Sequence, residues 1–239
     1  MRLLITRPQE DAVAIAKILR ALGHAPIVAP LMDVQFRDGP EMTLEGVQAV
    51  LATSANGVRA VARRTARRDV PIYAVGPQTA ESARSAGFKK VLSAEGDSNM
   101  LVEFVSGHAD PGKGQLLHAA GAETAGRVKQ ALQAKGFTVE TVVLYDAVPV
   151  ARLPEDAFVS LRDGTLGGVL LFSPRSAKTF ATLASEAKVA SSCEKLDAYC
   201  ISAATAAALT PLTFARMVVA GVPNQDAMIA LIPPAAPGP

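Results

Sequence analysis

Six places along the chain put Ser, Thr or Gly at the end of an apolar run, just before a stretch with helical periodicity. They are Thr6-Arg7-Pro8, Thr53-Ser54-Ala55-Asn56, Gly76-Pro77-Gln78-Thr79, Ala120-Gly121-Ala122, Ser173-Pro174-Arg175-Ser176 and Ser202-Ala203-Ala204-Thr205. A Ser or Gly cap followed by Pro in the first turn is a good helix start, so capping alone accounts for any one of them. Taken together they predict more. In open parallel sheets such junctions gather at the carboxyl ends of the strands, where unpaired N–H groups and the positive ends of helix dipoles collect. That lining suits a ligand with many carboxylates or phosphates and needs no large excess of Lys and Arg. Ser54, Asn56, Thr79, Ser173 and Thr205 are the candidate contacts. Arg7, Arg59 and Arg175 lie near three junctions, where each either adds a charge-assisted bond or is a solvated surface residue.

Tyr145 is the one candidate for proton chemistry. Tyrosine is scarce, limited to Tyr73, Tyr145 and Tyr199, and Tyr145 lies where a strand runs out into an extended segment (VVLYDAVPV). A phenol keeps its proton at neutral pH and can donate it to a leaving group, or it can simply pack. Other motifs fail. Gly107-His-Ala-Asp-Pro-Gly112-Lys113-Gly114 has the P-loop spacing of Gly and Lys but no following Ser or Thr, and it precedes a strand. No strand–GxGxxG–helix unit is present, which argues against a nicotinamide or flavin cofactor. His24, His108 and His118 have no metal-ligand spacing and build no Ser/His/Asp set. The Arg63-Arg64 and Arg67-Arg68 pairs end a helix, where cations complement its dipole, so they read as a helix end and not a nucleic-acid patch.

The elements that position these residues alternate: strands near 2–6, 26–30, 47–53, 71–75, 90–93, 115–119, 138–146, 168–172, 197–201 and 215–220, with helices near 8–22, 56–67, 78–86, 99–108, 123–135, 174–187, 203–209 and 224–232. Such alternation predicts an α/β fold with doubly wound parallel sheets. The chain also repeats itself. Residues 3–34 align without a gap on 116–147 at an offset of 113, placing Gly23 on Gly136 and Asp33 on Asp146. AVLATSANGVRAV (49–61) resembles GVLLFSPRSAKTF (168–180), and 73–83 resembles 199–209. Self-similarity at fixed offsets marks a duplication. The order is A (1–34), B (47–105), A′ (115–147), B′ (168–232), and two similar domains facing across a cleft are expected.

Two extended segments, 32–40 and 145–156, break the alternation and are the candidate linkers. One crossing would give A+B and A′+B′. Two crossings, which the linker-like character of both breaks favours, give a continuous domain at 38–146 and a discontinuous one from 1–34 plus 149–239. The tail from Pro233 (PPAAPGP) is expected to be disordered.

Bulk properties narrow the class. With 24 basic and 22 acidic residues, the net charge of +2 argues against a dedicated nucleic-acid surface. No apolar stretch approaches the roughly 20 residues that span a bilayer, and MRLLITRPQE does not read as a signal peptide. Cys193 and Cys200 fit neither a redox nor a zinc pattern and read as buried thiols. A cytoplasmic, membrane-free protein is expected.

ITRP near the start, TSANGV at 53–58, AVGPQTAESARSAGF at 74–88, the run ending VETVVLYDAV before Pro149, LLFSPRSAKTF at 170–180 and the helix start at Thr205 occur in an order and spacing that resemble the uroporphyrinogen-III synthase family. The resemblance covers essentially residues 1–232. It implies two α/β domains on a two-stranded linker, the first discontinuous, and a cofactor-independent cyclising lyase. The implied substrate is hydroxymethylbilane, a linear tetrapyrrole with eight carboxylates, with hand-over from hydroxymethylbilane synthase to a monomeric enzyme as a further expectation. Residue by residue, Tyr145 matches the linker-strand tyrosine that is the favoured proton donor. Ser54, Thr79, Ser173 and Thr205 match cleft-facing Ser/Thr positions, and Arg7 the arginine after the first strand. Two positions depart: Ser202-Ala203 stands where the family usually has Gly-Pro, and His118 where Arg is common. Two other classes fit the architecture. One is a two-domain cleft-closing binding protein for a polyanionic small molecule. The other is a nucleotide-sugar transferase, for which no nucleotide site is evident.

Overall fold

Residues 3–5 and 169–171 have no exposed side chain at all. A strand buried on both faces needs this continuous apolar pattern, because helices must cover the sheet above and below. The computed structural model describes residues 1–123 and 127–234. Its first half runs β1 (Arg2–Ile5), α1 (Gln9–Ala21), β2 (Ala25–Val28), β3 (Met32–Phe36), β4 (Val47–Ala52), α2 (Ala55–Arg64), β5 (Ile72–Ala74), α3 (Pro77–Ser85), β6 (Val91–Ser93) and α4 (Ser98–His108). The second half runs β7 (Gln115–Gly121), α5 (Arg127–Ala134), β8 (Val139–Pro149), α6 (Glu155–Arg162), β9 (Gly168–Leu171), α7 (Pro174–Glu186), β10 (Asp197–Cys200), α8 (Ala203–Ala207), β11 (Arg216–Val219) and α9 (Gln225–Ile229). The start of the helix expected near 123–135 falls partly outside the described residues, as does the tail beyond 234.

The chain divides into two units, Met1–Asp33 with Val148–Pro239, and Val34–Ala147. The first holds a five-stranded sheet in the order β11-β10-β9-β1-β2, with β1, β2, β9, β10 and β11 parallel. The second holds a six-stranded sheet in the order β3-β8-β7-β4-β5-β6, parallel from β8 to β6. Each sheet joins a B-type half to the A-type half of the other repeat: β6-β5-β4 continue into β7-β8, and β11-β10-β9 continue into β1-β2. The two sheets therefore share one strand order, set by the duplication. The chain passes from one unit to the other within β3 and within β8.

Each sheet is covered on both faces. In the first unit Leu4, Val169 and Leu171 pack with Leu161 and Phe180, while Leu3, Ile5 and Leu170 pack with Ile15, Leu19 and Met228. In the second, Val50, Ala52 and Ala119 pack with Val58 and Val61 of α2, while Leu51 and Leu116 pack with Leu101 of α4 and Leu132 of α5. Gly57 lets α2 seat this closely, since a Cβ there would lie 2.7 Å from the Ala119 carbonyl oxygen.

Two elements, β3 and α6, are not among the expected strands and helices. The stretch 145–156 begins extended, as β8 to Pro149, and only its last two residues enter α6 at Glu155. Its start signal is legible in retrospect, with Pro154 at the cap, Glu155 and Asp156 in the first turn, and Ala157 and Leu161 buried. Residues 32–36 form a strand, and Arg37 beyond it is clamped by a bidentate pair to Asp146 (2.7 and 2.9 Å). In the basic cluster, the Arg64 and Arg68 guanidiniums donate to backbone carbonyls of Pro40, Ala62, Thr65 and Ala86, and Arg67 pairs with Asp69. Arg68 thus satisfies carbonyls at the carboxyl ends of α2 and α3, and Arg64 one in the loop before β4.

Candidate active site

In each sheet the strand order reverses at one place, and there the loops at the carboxyl ends diverge and leave room for a ligand. In the second unit the reversal lies between β4 and β7, which lead to Ser54 and end in Gly121. In the first unit it lies between β1 and β9, which lead to Thr6-Arg7 and to Ser173. The junctions singled out in the sequence thus include both flanks of both switch points.

Ser54 caps α2, accepting the Gly57 N–H at 3.2 Å, and its Oγ lies 2.8 Å from the phenol oxygen of Tyr145. The tyrosine arrives there through an irregularity in β8. Ala120 of β7 pairs with Val143, but Gly121 pairs with Tyr145, so Leu144 is an extra residue. Strict alternation would put Leu144 and Tyr145 on opposite faces of the sheet. The bulge re-aims the second side chain, and both pack in the cluster under α2. The ring is 6% exposed, with its hydroxyl at the half-buried junction.

Gly121 completes the seat. A Cβ at this position would lie 2.8 Å from Tyr145 Cζ and 3.1 Å from its oxygen. In the sequence Gly121 is one more helix-start glycine, and its role in admitting the tyrosine ring has no local signal. Gly121→Ala is expected to displace the ring and lower stability by about 1–3 kcal/mol, the range for overpacking. Denaturant midpoints of Gly121→Ala in the wild-type and Tyr145→Ala backgrounds check this, because the penalty should shrink when the ring is gone.

The other candidates are placed as follows. Asn56 Oδ1 accepts from Arg59 Nη1 at 2.8 Å, and Thr79 is buried in the first turn of α3, which begins at the Gly76 cap. In the first unit the Thr6 hydroxyl donates to the Leu170 carbonyl (2.8 Å), tying β1 to β9. Arg7 pairs with Asp11 at 2.8 Å and lies 4.9 Å over the Phe172 ring. Ser173 caps α7 and bonds Ser176 Oγ at 3.0 Å, while Thr205 is fully buried with its hydroxyl 3.0 Å from Ser202 Oγ. Ser54 and Tyr145 are therefore joined directly. Arg7, Ser173 and Thr205 hold helix starts in the first unit.

A family described as "Uroporphyrinogen-III synthase HemD" matches residues 13–230. A uroporphyrinogen-III synthase of Synechococcus elongatus is 31% identical over 201 residues, covering 76% of this chain and 74% of that one. This chain belongs to the uroporphyrinogen-III synthase family. Among solved structures, the uroporphyrinogen-III synthetase of Helicobacter pylori superposes with a TM-score of 0.64 at 17% identity, covering 97% of this chain and 98% of that one. A mutant uroporphyrinogen III synthase of Thermus thermophilus gives 0.51 at 16% identity, covering 91% and 92%. At such identities the likeness speaks to the α/β fold. The part matched by the uroporphyrinogen-III synthase family includes Ser54, Asn56, Thr79, Tyr145, Ser173 and Thr205. Arg7 precedes it.

Proposed function

We propose that this chain is a cofactor-independent uroporphyrinogen-III synthase, closing hydroxymethylbilane to uroporphyrinogen III with loss of water and inversion of the last pyrrole ring. The proposal extends to a cytoplasmic monomer that receives its substrate from hydroxymethylbilane synthase. Beside membership of the family, the observation that carries the catalytic reading is the Tyr145 hydroxyl held at 2.8 Å from Ser54 Oγ, at the switch point of the second sheet.

The chemistry asks little of the protein. A pyrrole nitrogen supplies the electrons that expel the hydroxyl, so the enzyme must supply a proton to the departing oxygen and hold the geometry for closure. Tyr145 is the proposed donor of that proton. The helix starts at Arg7, Ser54, Asn56 and Thr79, with those at Ser173 and Thr205, supply N–H groups and positive dipole ends suited to substrate carboxylates.

The test is a coupled reaction from porphobilinogen with hydroxymethylbilane synthase, followed by oxidation and separation of the isomers. Type III uroporphyrin is expected. Recovery of type I alone, the spontaneous product, would sink the reading and favour a binding protein for polyanionic small molecules.

A further inference from the structure

Helices α2, α7 and α8 begin alike. Each has a serine cap whose oxygen accepts the N–H of the third helical residue: Gly57 to Ser54 at 3.2 Å, Ser176 to Ser173 at 3.1 Å, and Thr205 to Ser202 at 3.2 Å. A serine hydroxyl has one hydrogen and two lone pairs, so the cap uses one lone pair and leaves the hydrogen uncommitted. Ser173 and Ser202 engage the hydroxyl of their own third residue, Ser176 and Thr205, each at 3.0 Å. In α2 the third residue is Gly57, which has no hydroxyl to offer. Any side chain there would collide with the Ala119 carbonyl, so the packing of α2 on β7 removes the competitor. Ser54 bonds instead to Tyr145 Oη at 2.8 Å, across from its own helix.

We propose that Ser54 is the positioning residue of the Tyr145 proton donor. Its hydroxyl donates to Tyr145 Oη, leaving the phenol hydrogen directed at the substrate's departing oxygen. The inference rests on the donor role proposed for Tyr145, and it gives Ser54 a task other than holding a carboxylate. In the reaction the Tyr145 proton passes to the departing hydroxyl as its carbon–oxygen bond breaks, and water leaves. The phenolate then accepts the Ser54 hydrogen bond beside the positive end of α2. Ring closure releases a proton from the newly bonded carbon, and that proton restores the phenol. The reverse polarity, with the phenol donating to serine, would occupy the hydrogen that must be given away.

The experiment measures kcat and KM for Ser54→Ala, Ser54→Thr, Tyr145→Phe and the double variant Ser54→Ala/Tyr145→Phe. Loss of one hydrogen bond to a charged group predicts a fall in kcat of about tenfold to a hundredfold for Ser54→Ala, with little change in KM. Ser54→Thr should recover most of the rate, and the double variant should be no slower than Tyr145→Phe alone. Ser54→Gly caps a helix nearly as well and serves if the alanine variant unfolds. Asp97→Ala removes the cap of α4 in the same unit, where Asp97 accepts from Asn99 and Met100, and should keep the wild-type kcat. A raised KM with unchanged kcat would make Ser54 a substrate contact and overturn the inference alone. So would additive losses in the double variant. A harmless Tyr145→Phe would remove the donor and the inference with it, whereas a wild-type enzyme yielding only type I product would overturn the function itself.

Discussion

Tyr145→Phe is expected to lower kcat by about 100- to 10,000-fold, the span attributed to a positioned general acid. The substitution keeps the ring, which packs with Leu117, Ala119 and Leu144 in the core under α2, and removes only the hydroxyl. Binding should therefore survive, with KM close to wild type. The fold should survive too, less about 1 kcal/mol for the lost hydrogen bond to Ser54. Steady-state rates with separated isomers, read beside an unfolding curve, check both halves. An unchanged kcat would dismiss Tyr145 as the acid. A loss well below a hundredfold would mean that geometry, not proton donation, carries most of the rate.

Acid should destabilise the protein through His118 before it protonates most carboxylates. The side chain is fully buried, with neither ring nitrogen partnered among the described residues, and burial pushes its pKa down from 6.5 to about 4. It sits on β7 between Leu51 of β4 and Thr141 of β8, whose hydroxyl is also buried without a partner among the described residues. Above pH 6.5 the imidazole is neutral in both folded and unfolded chains and contributes no pH dependence. As pH falls through 6.5 the unfolded chain takes up a proton that the folded one refuses, so stability declines until about pH 4, where the folded form protonates as well. The full drop is about 3 kcal/mol. His24, also lowered by burial and by the neighbouring amino terminus, adds in the same direction. Urea midpoints at pH 7.5, 6 and 5 should fall steeply in the wild type and much less in His118→Leu. Parallel slopes in the two proteins would refute the assignment.

Much of the architecture was legible in local patterns. Gly23 and Gly136 both adopt positive φ just past helices that the periodicity had already ended there, and the repeat at offset 113 reappears as one strand order shared by two sheets. The serine caps at 54, 173 and 202 were readable because capping is settled within four residues. Helix α6 is missing from the expected elements: only Glu155 and Asp156 of it lie in YDAVPVARLPED, whose two prolines precede a short amphipathic turn. The local signal for an extended segment outweighed the acidic helix start behind it.

The site was less legible, and Tyr145 shows why. The residue itself stands out by its rarity and by its place at the end of a strand, and Ser54 by its cap. Their hydrogen bond does not, since it spans 91 residues and requires a β-bulge that reverses which face Tyr145 occupies. Alternation along β8 sends Tyr145 away from α2, and no pattern within the strand marks Leu144 as the extra residue. Gly121 and Gly57 are equally silent, because what forbids a side chain at each is a neighbour brought in from another strand. Local chemistry and periodicity thus determined the elements, the duplication and the list of candidate groups, which short-range sterics and hydrogen bonding decide. Which candidates meet was decided only by the close packing of β4, β7, β8 and α2, where backbone contacts between distant segments leave one seat for the ring and one partner for its hydroxyl.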